Sequence, residues 1–204
     1  MKIGFALIAE KDFINRIVNL EHDYHDRANF FDHLGNIYNL PHTTLFQGEM
    51  NEEIDYKRIA EDIAKEYIRL FPLKKIEFTN IEYVDVGWYF LMCHKTKEFM
   101  SLHNKVLNEV TPYIILPEDR LKRNLEDLPK NQQEAIKNYN YRYAGDAFCP
   151  HITIGRSTSK NETILKEMNM AICNFDLSPY VEKVTVYQMG TNGTHKNTLY
   201  EIAM

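Results

Sequence analysis

This 204-residue chain is poor in three things, and each shortage excludes a class of protein. It has no apolar run near the ~18 residues that a membrane-spanning helix needs, although 44% of its residues are hydrophobic. A soluble, globular chain is expected. It has few cysteines: Cys93, Cys149 and Cys173 are odd in number and share no metal-ligand spacing, so neither a disulfide framework nor a zinc knuckle is encoded. Reduced thiols in a cytoplasmic setting fit that usage. It also lacks an excess of basic charge. A net charge of −5 argues against holding long duplex nucleic acid by neutralising many phosphates, whereas a small phosphorylated ligand needs far fewer cations. The opening run Met1 to Ile8 meets the charged pair Glu10-Lys11 too early for a signal peptide and reads as a first strand.

What the chain does contain is a near duplication. Pro41-His42-Thr43-Thr44-Leu45 and Pro150-His151-Ile152-Thr153-Ile154 share Pro, His, Thr and an apolar residue in register. On a β-strand, alternate side chains share a face, so His42 goes with Thr44 and His151 with Thr153, with Thr43, Leu45, Ile152 and Ile154 packed behind. Two imidazoles and two hydroxyls then line one cleft. A bare His-x-Thr says little, and His94-Lys95-Thr96 is a third copy that lacks the proline and follows an apolar run where a strand should end.

Paired histidines suit a displacement reaction run by acid–base catalysis. That reaction needs a base for the attacking oxygen and an acid for the leaving oxygen, and histidine titrates near neutrality. Threonine hydroxyls can bond the non-bridging oxygens as charge shifts.

The paired motifs resemble those of the 2H phosphoesterases, a superfamily that includes 2′,5′ RNA ligase-like proteins and cyclic-nucleotide phosphodiesterases, with one His-x-Thr or His-x-Ser per half. The resemblance implies an α+β fold of two pseudo-twofold-related lobes, antiparallel sheets with outer helices around a central cleft. It also implies a metal-independent phosphodiesterase without cofactor, with His42, Thr44, His151 and Thr153 at the matching positions. Its substrate would be a small nucleotide or short RNA-like molecule; the alternative is a non-catalytic nucleotide-binding sponge with the same cleft.

The chain reads as one domain over 1–204, in which 116–146 looks like an insertion serving as lid or specificity element. The insertion's Arg120, Lys122, Arg123, Lys130, Lys137 and Arg142 are interspersed with acidic residues, so a solvated charged helix is expected rather than a basic patch. Tyr141, Arg142 and Tyr143 at its end could stack on a base or grip a phosphate, or form a tyrosine-rich surface loop. Arg156 could approach the anion or sit exposed at a strand end, and Trp88 could stack on a base or pack in the core.

Apolar spacing predicts helices over Lys11 to Leu20, Asn51 to Phe71, Phe99 to Val110 and Asn161 to Asn174. Further strands are expected over Ile76 to Phe78, Tyr83 to Met92, Val181 to Gln188 and Thr198 to Ala203, the last two joined at Thr191-Asn192-Gly193-Thr194. His22, His25 and His33 lie in a stretch without clear pattern. No carboxylate or Cys motif completes a recognised metal site around them, and they read as surface or partly buried. His103 is expected on a helix flank and His195 near a turn.

Overall fold

The computed structural model describes residues 1–84, 87–119 and 125–204. Among these, strands β1 (Lys2–Ala9), β2 (Thr43–Glu49), β3 (Phe78–Val84), β4 (Trp88–Cys93), β5 (His151–Arg156), β6 (Val181–Met189) and β7 (His195–Ala203) form one antiparallel sheet in the order β3-β4-β5-β2-β1-β6-β7. The helices are α1 (Lys11–Ala28), α2 (Tyr56–Leu70), α3 (Lys97–Val110), α4 (Lys130–Tyr139) and α5 (Glu162–Ile172). Arg120, Lys122 and Arg123 of the expected charged insertion lie outside the described residues.

The sheet divides at its middle. β2 meets β5 through a single residue pair, Thr43 opposite Ile152, whereas the other neighbouring strands pair over most of their length. One lobe is β2-β1-β6-β7 with α2 and α3 packed on it; the other is β3-β4-β5 with α1 and α5. Each lobe is thus an antiparallel sheet with two helices, and the two expected sheets join edge to edge as one.

Local chemistry sets the boundaries. In α2, Ile59, Ala60, Ile63, Ala64 and Tyr67 form the buried stripe that helical spacing predicts. It starts five residues later than expected, because the Asp55 carboxylate accepts the Arg58 N–H at 3.1 Å while Asn51 closes a separate turn onto the Glu53 N–H. Thr96 of the third His-x-Thr caps α3 in the same way, accepting from the Phe99 N–H at 3.2 Å. The expected strand Tyr83 to Met92 is instead two strands of a hairpin, Val84 pairing with Trp88. Gly87 makes that turn possible: its φ is +97°, and a Cβ there would stand 2.1 Å from the Ser157 carbonyl oxygen.

α1 runs eight residues past the expected end at Leu20 and stops at Asn29, which adopts the left-handed conformation at φ 52°. Its buried stripe does continue, but with Glu21 in the place of an apolar residue, followed by Ala28. Apolar periodicity alone could not extend the helix through a buried carboxylate.

Candidate active site

The two motifs meet where the two lobes meet. Thr43 and Ile152 are the same position in the two copies and face each other across antiparallel strands, so a local twofold passes between them. Thr43, Leu45, Ile152 and Ile154 are buried behind the strands. His42, Thr44, His151 and Thr153 line a single cleft of about 480 Å³, with Trp88, Tyr141, Arg142, Tyr143 and Arg156 in its walls. The third motif copy does not line the cleft, and His94 is exposed just beyond β4.

Each histidine is held the same way. His42 Nδ1 bonds the Leu40 carbonyl oxygen at 2.7 Å and His151 Nδ1 bonds the Cys149 carbonyl oxygen at 2.6 Å. A carbonyl only accepts, so both Nδ1 atoms carry the proton and Nε2 is the nitrogen left to exchange one. Burial lowers both pKa values to about 4, against the opposing pull of the two carbonyls; at His42 the neighbouring His195 and His151 lower it further. At neutral pH the cleft therefore presents two neutral imidazoles. An anion held between them favours the protonated form of one, which is the state an acid–base pair requires.

Around the histidines the symmetry ends. The His42 Nε2 lies 3.1 Å from the Tyr187 hydroxyl, which in turn lies 3.0 Å from Gln47 Oε1. The Tyr187 phenol is pushed up by burial, its bond to the Thr44 hydroxyl acting in the opposite direction. His195 stacks on Tyr187, with centroids 4.9 Å apart, and its ring is 5.9 Å from that of His42. His151 is set among hydrocarbon instead, stacked on Phe90 at 3.6 Å with the Tyr143 ring edge-on at 5.4 Å.

Two cations line the cleft. The Arg156 guanidinium lies 5.2 Å over Trp88 and 5.8 Å over Phe31, and its Nε is buried without a hydrogen-bond partner. Arg142 lies over Tyr143 at 5.6 Å and donates through Nε to Gln132 Oε1 of α4 at 2.5 Å. Tyr141 is buried edge-on to Phe46 and Tyr143 and forms wall rather than surface loop.

Two histidines differ from their expected setting, and one site residue carries no signal in the sequence. His195 lies just after the Thr191–Gly193 turn, as expected, but begins β7 three residues before the expected strand and is buried under the His42 side of the cleft. His103, expected on a helix flank, is wholly buried: its Nδ1 bonds the Leu45 carbonyl at 2.8 Å, its Nε2 accepts the Gly145 N–H at 2.9 Å, and its ring stacks on Phe148. It ties the first motif strand to the segment that leads into the second. Tyr187 carried no sequence signal, since its link to His42 spans 145 residues. Among the described residues the metal-ligand cluster of His, Cys and carboxylate groups lies outside the cleft, at Glu21, His22 and His33. No helix among them is long and apolar enough to cross a membrane.

No protein-family model matches this chain, and no curated protein does. Solved structures do match. Escherichia coli LigT in apo form is 15% identical over 99% of this chain and 96% of its own, with a TM-score of 0.55. LigT complexed with phosphate is 16% identical, covering 100% and 96%, with a TM-score of 0.54. LigT complexed with 3′-AMP is 14% identical, covering 100% and 97%, with a TM-score of 0.50. At such identities the likeness is one of fold: this chain has the α+β fold of the LigT-like 2H phosphoesterases, as the resemblance of its two motifs implied.

Proposed function

We propose that the chain is a metal-independent phosphodiesterase that cleaves a small nucleotide phosphodiester by two-histidine acid–base catalysis. The observation that carries this reading is the paired lock: two histidines in one cleft, each with Nδ1 fixed on the carbonyl two residues upstream. Mere nucleotide binding does not need two proton-transfer groups held alike.

One imidazole takes the proton of the attacking oxygen at its Nε2 as the P–O bond forms. The other, protonated beside the bound anion, gives its Nε2 proton to the leaving oxygen as the second P–O bond breaks. Thr44 and Thr153 donate hydroxyl hydrogen bonds to the non-bridging oxygens, and Arg142 and Arg156 offset the charge of the phosphate. The aromatic wall of Trp88, Tyr141 and Tyr143 holds a base. Segment 116–146 acts as a specificity element through Tyr141, Arg142 and Tyr143.

The phosphate and 3′-AMP complexes of LigT support a phosphate-and-nucleotide reading of this cleft. Its volume of about 480 Å³ suits a ligand of one or two nucleotides. Candidate substrates are 2′,3′-cyclic, 2′,5′-linked and 3′,5′ cyclic oligonucleotide phosphodiesters, met in a cytoplasmic setting.

Turnover of such a panel in EDTA, with His42→Ala and His151→Ala beside wild type, tests the proposal. Cleavage of one class that falls at least 100-fold in both variants is expected. Binding without cleavage across the panel overturns it in favour of a sponge, and turnover that EDTA abolishes and added metal restores in wild type and in His22→Ala alike overturns the mechanism.

A further inference from the structure

Away from the catalytic pair, Glu21 is a fully buried carboxylate whose ion-pair partners are all histidines. A buried carboxylate is costly unless a cation or several hydrogen bonds compensate it. Here His22 Nε2 lies 3.5 Å from Oε2, His33 Nδ1 lies 3.5 Å from Oε1, and His25 Nδ1 bonds Oε1 directly. The Leu34 N–H donates to Oε2 at 3.1 Å. The ligand atoms of Glu21, His22 and His33 all lie within 4.8 Å of one another. Zinc–ligand bonds of about 2.0–2.1 Å place tetrahedral ligand atoms about 3.3–3.4 Å apart, and each imidazole nitrogen stands near that spacing from one oxygen of the carboxylate, His22 from Oε2 and His33 from Oε1.

We propose that Glu21, His22 and His33 bind a single divalent transition-metal ion of the zinc type, with water completing the coordination. Two imidazoles and a carboxylate favour zinc over magnesium or calcium, which prefer all-oxygen surroundings. The His25 and Leu34 donors orient the carboxylate. The exposure of His22 and His33, at 50% and 62% of their side chains, gives the ion a path in. On binding, His22 leaves the Leu34 carbonyl oxygen, 3.1 Å from its Nε2, and ligates through Nε2 with its ring proton on Nδ1.

The consequence is structural. Glu21 and His22 belong to α1, whereas His33 belongs to the irregular segment that leads to His42. Asp32 and Leu34, on either side of His33, line the cleft. The ion clamps that segment to α1 and takes no part in proton transfer. This inference is independent of the proposed reaction and is read without any turnover assay.

Full-length protein stripped with chelator and dialysed is titrated with Zn²⁺, Mg²⁺ and Co²⁺, by calorimetry and thermal unfolding, for wild type, His22→Ala, His33→Ala and the exposed control His94→Ala. One equivalent of Zn²⁺ is expected to bind and, at about 100 times its Kd, to raise Tm by roughly 5 °C. Co²⁺ should give tetrahedral absorption bands, and Mg²⁺ should do nothing. Both ligand variants should bind Zn²⁺ at least 100-fold more weakly, while His94→Ala matches wild type. Absence of stoichiometric Zn²⁺ binding, or binding unchanged in His22→Ala and His33→Ala, overturns the proposal.

Discussion

Lowering the pH from 7 to 5 should cost this protein a large part of its stability, through histidines that the fold keeps neutral. His103 and His151 are buried, and burial lowers each to about 4 from an ordinary 6.5. Between those values the unfolded chain binds protons that the folded chain refuses, so stability is complete above pH 6.5 and falls as the pH drops towards 4. At pH 5 each fully buried histidine forfeits about 2 kcal/mol, or about 4 kcal/mol for the pair. His42, lowered to about 4 by the same cause, adds in the same direction. Against a typical total of 5–15 kcal/mol, a loss of that size moves a urea midpoint down by roughly 2 M. The assay is equilibrium urea unfolding at pH 7 and pH 5 and constant ionic strength. Sulfate, doubly charged at both pH values, adds a second arm: an anion between His42 and His151 restores their proton affinity, so millimolar sulfate should stabilise more at pH 5 than at pH 7. Midpoints that agree within about 0.3 M at the two pH values, or sulfate effects of equal size, would refute the reasoning.

Removing the Tyr187 hydroxyl with Tyr187→Phe should cost about 1 kcal/mol of stability or less, yet shift one limb of the pH–rate profile, because His42 Nε2 loses its partner; a profile identical to wild type separates Tyr187 from the chemistry. Gly4→Ala puts a Cβ 2.3 Å from Tyr187 Cζ, so it should lower Tm by an amount equivalent to 1–3 kcal/mol and reduce turnover more than Tyr187→Phe does, as thermal unfolding and initial rates will show. Trp88→Ala removes the ring beneath the Arg156 guanidinium, and a roughly tenfold higher KM with a nearly unchanged kcat is expected for a base-bearing substrate. His103→Ala should lower Tm strongly by leaving the Leu45 carbonyl and the Gly145 N–H unpaired, while the pH–rate profile of the folded fraction keeps its shape.

The core of the candidate site was legible because it rests on local rules. Period-two alternation put His42 with Thr44 and His151 with Thr153, and the cleft receives all four. The caps at Asp55, Thr96 and Asn161 also rest on a local rule, a side chain that reaches a backbone N–H three residues on, but apolar spacing alone does not single them out and puts the start of α2 at Asn51. What the sequence hid was long-range or contrary to pattern. Glu21 holds an apolar position in α1, so the helix seemed to end where its stripe turned charged, and the carboxylate at the centre of three histidines went unseen. His195 sat beside turn residues, and only the pairing of β6 with β7 carries it under His42. Gly4 shows no turn and no positive φ. Its hydrogen side chain matters because the Tyr187 ring occupies the space a methyl would take.

The duplicated motif also explains why the two histidines need not be equivalent. The pseudo-twofold fixes what each strand supplies: an imidazole locked through Nδ1, a hydroxyl two residues later, an apolar backing. It does not extend to the elements that close over them. β6 and β7 bring Tyr187 and His195 to His42, while β4 and the end of the 116–146 segment bring Phe90 and Tyr143 to His151. Nε2 of His42 therefore meets a hydroxyl that can give or accept a hydrogen bond, whereas the His151 ring is packed against aromatic carbon. The acid–base pair proposed above, built from two copies of one motif, has to become unequal somewhere, since one member must hold a proton when the other does not. In this fold the inequality comes from the non-duplicated neighbours, which is why a substitution at Tyr187 acts on one histidine and leaves the lock on both intact.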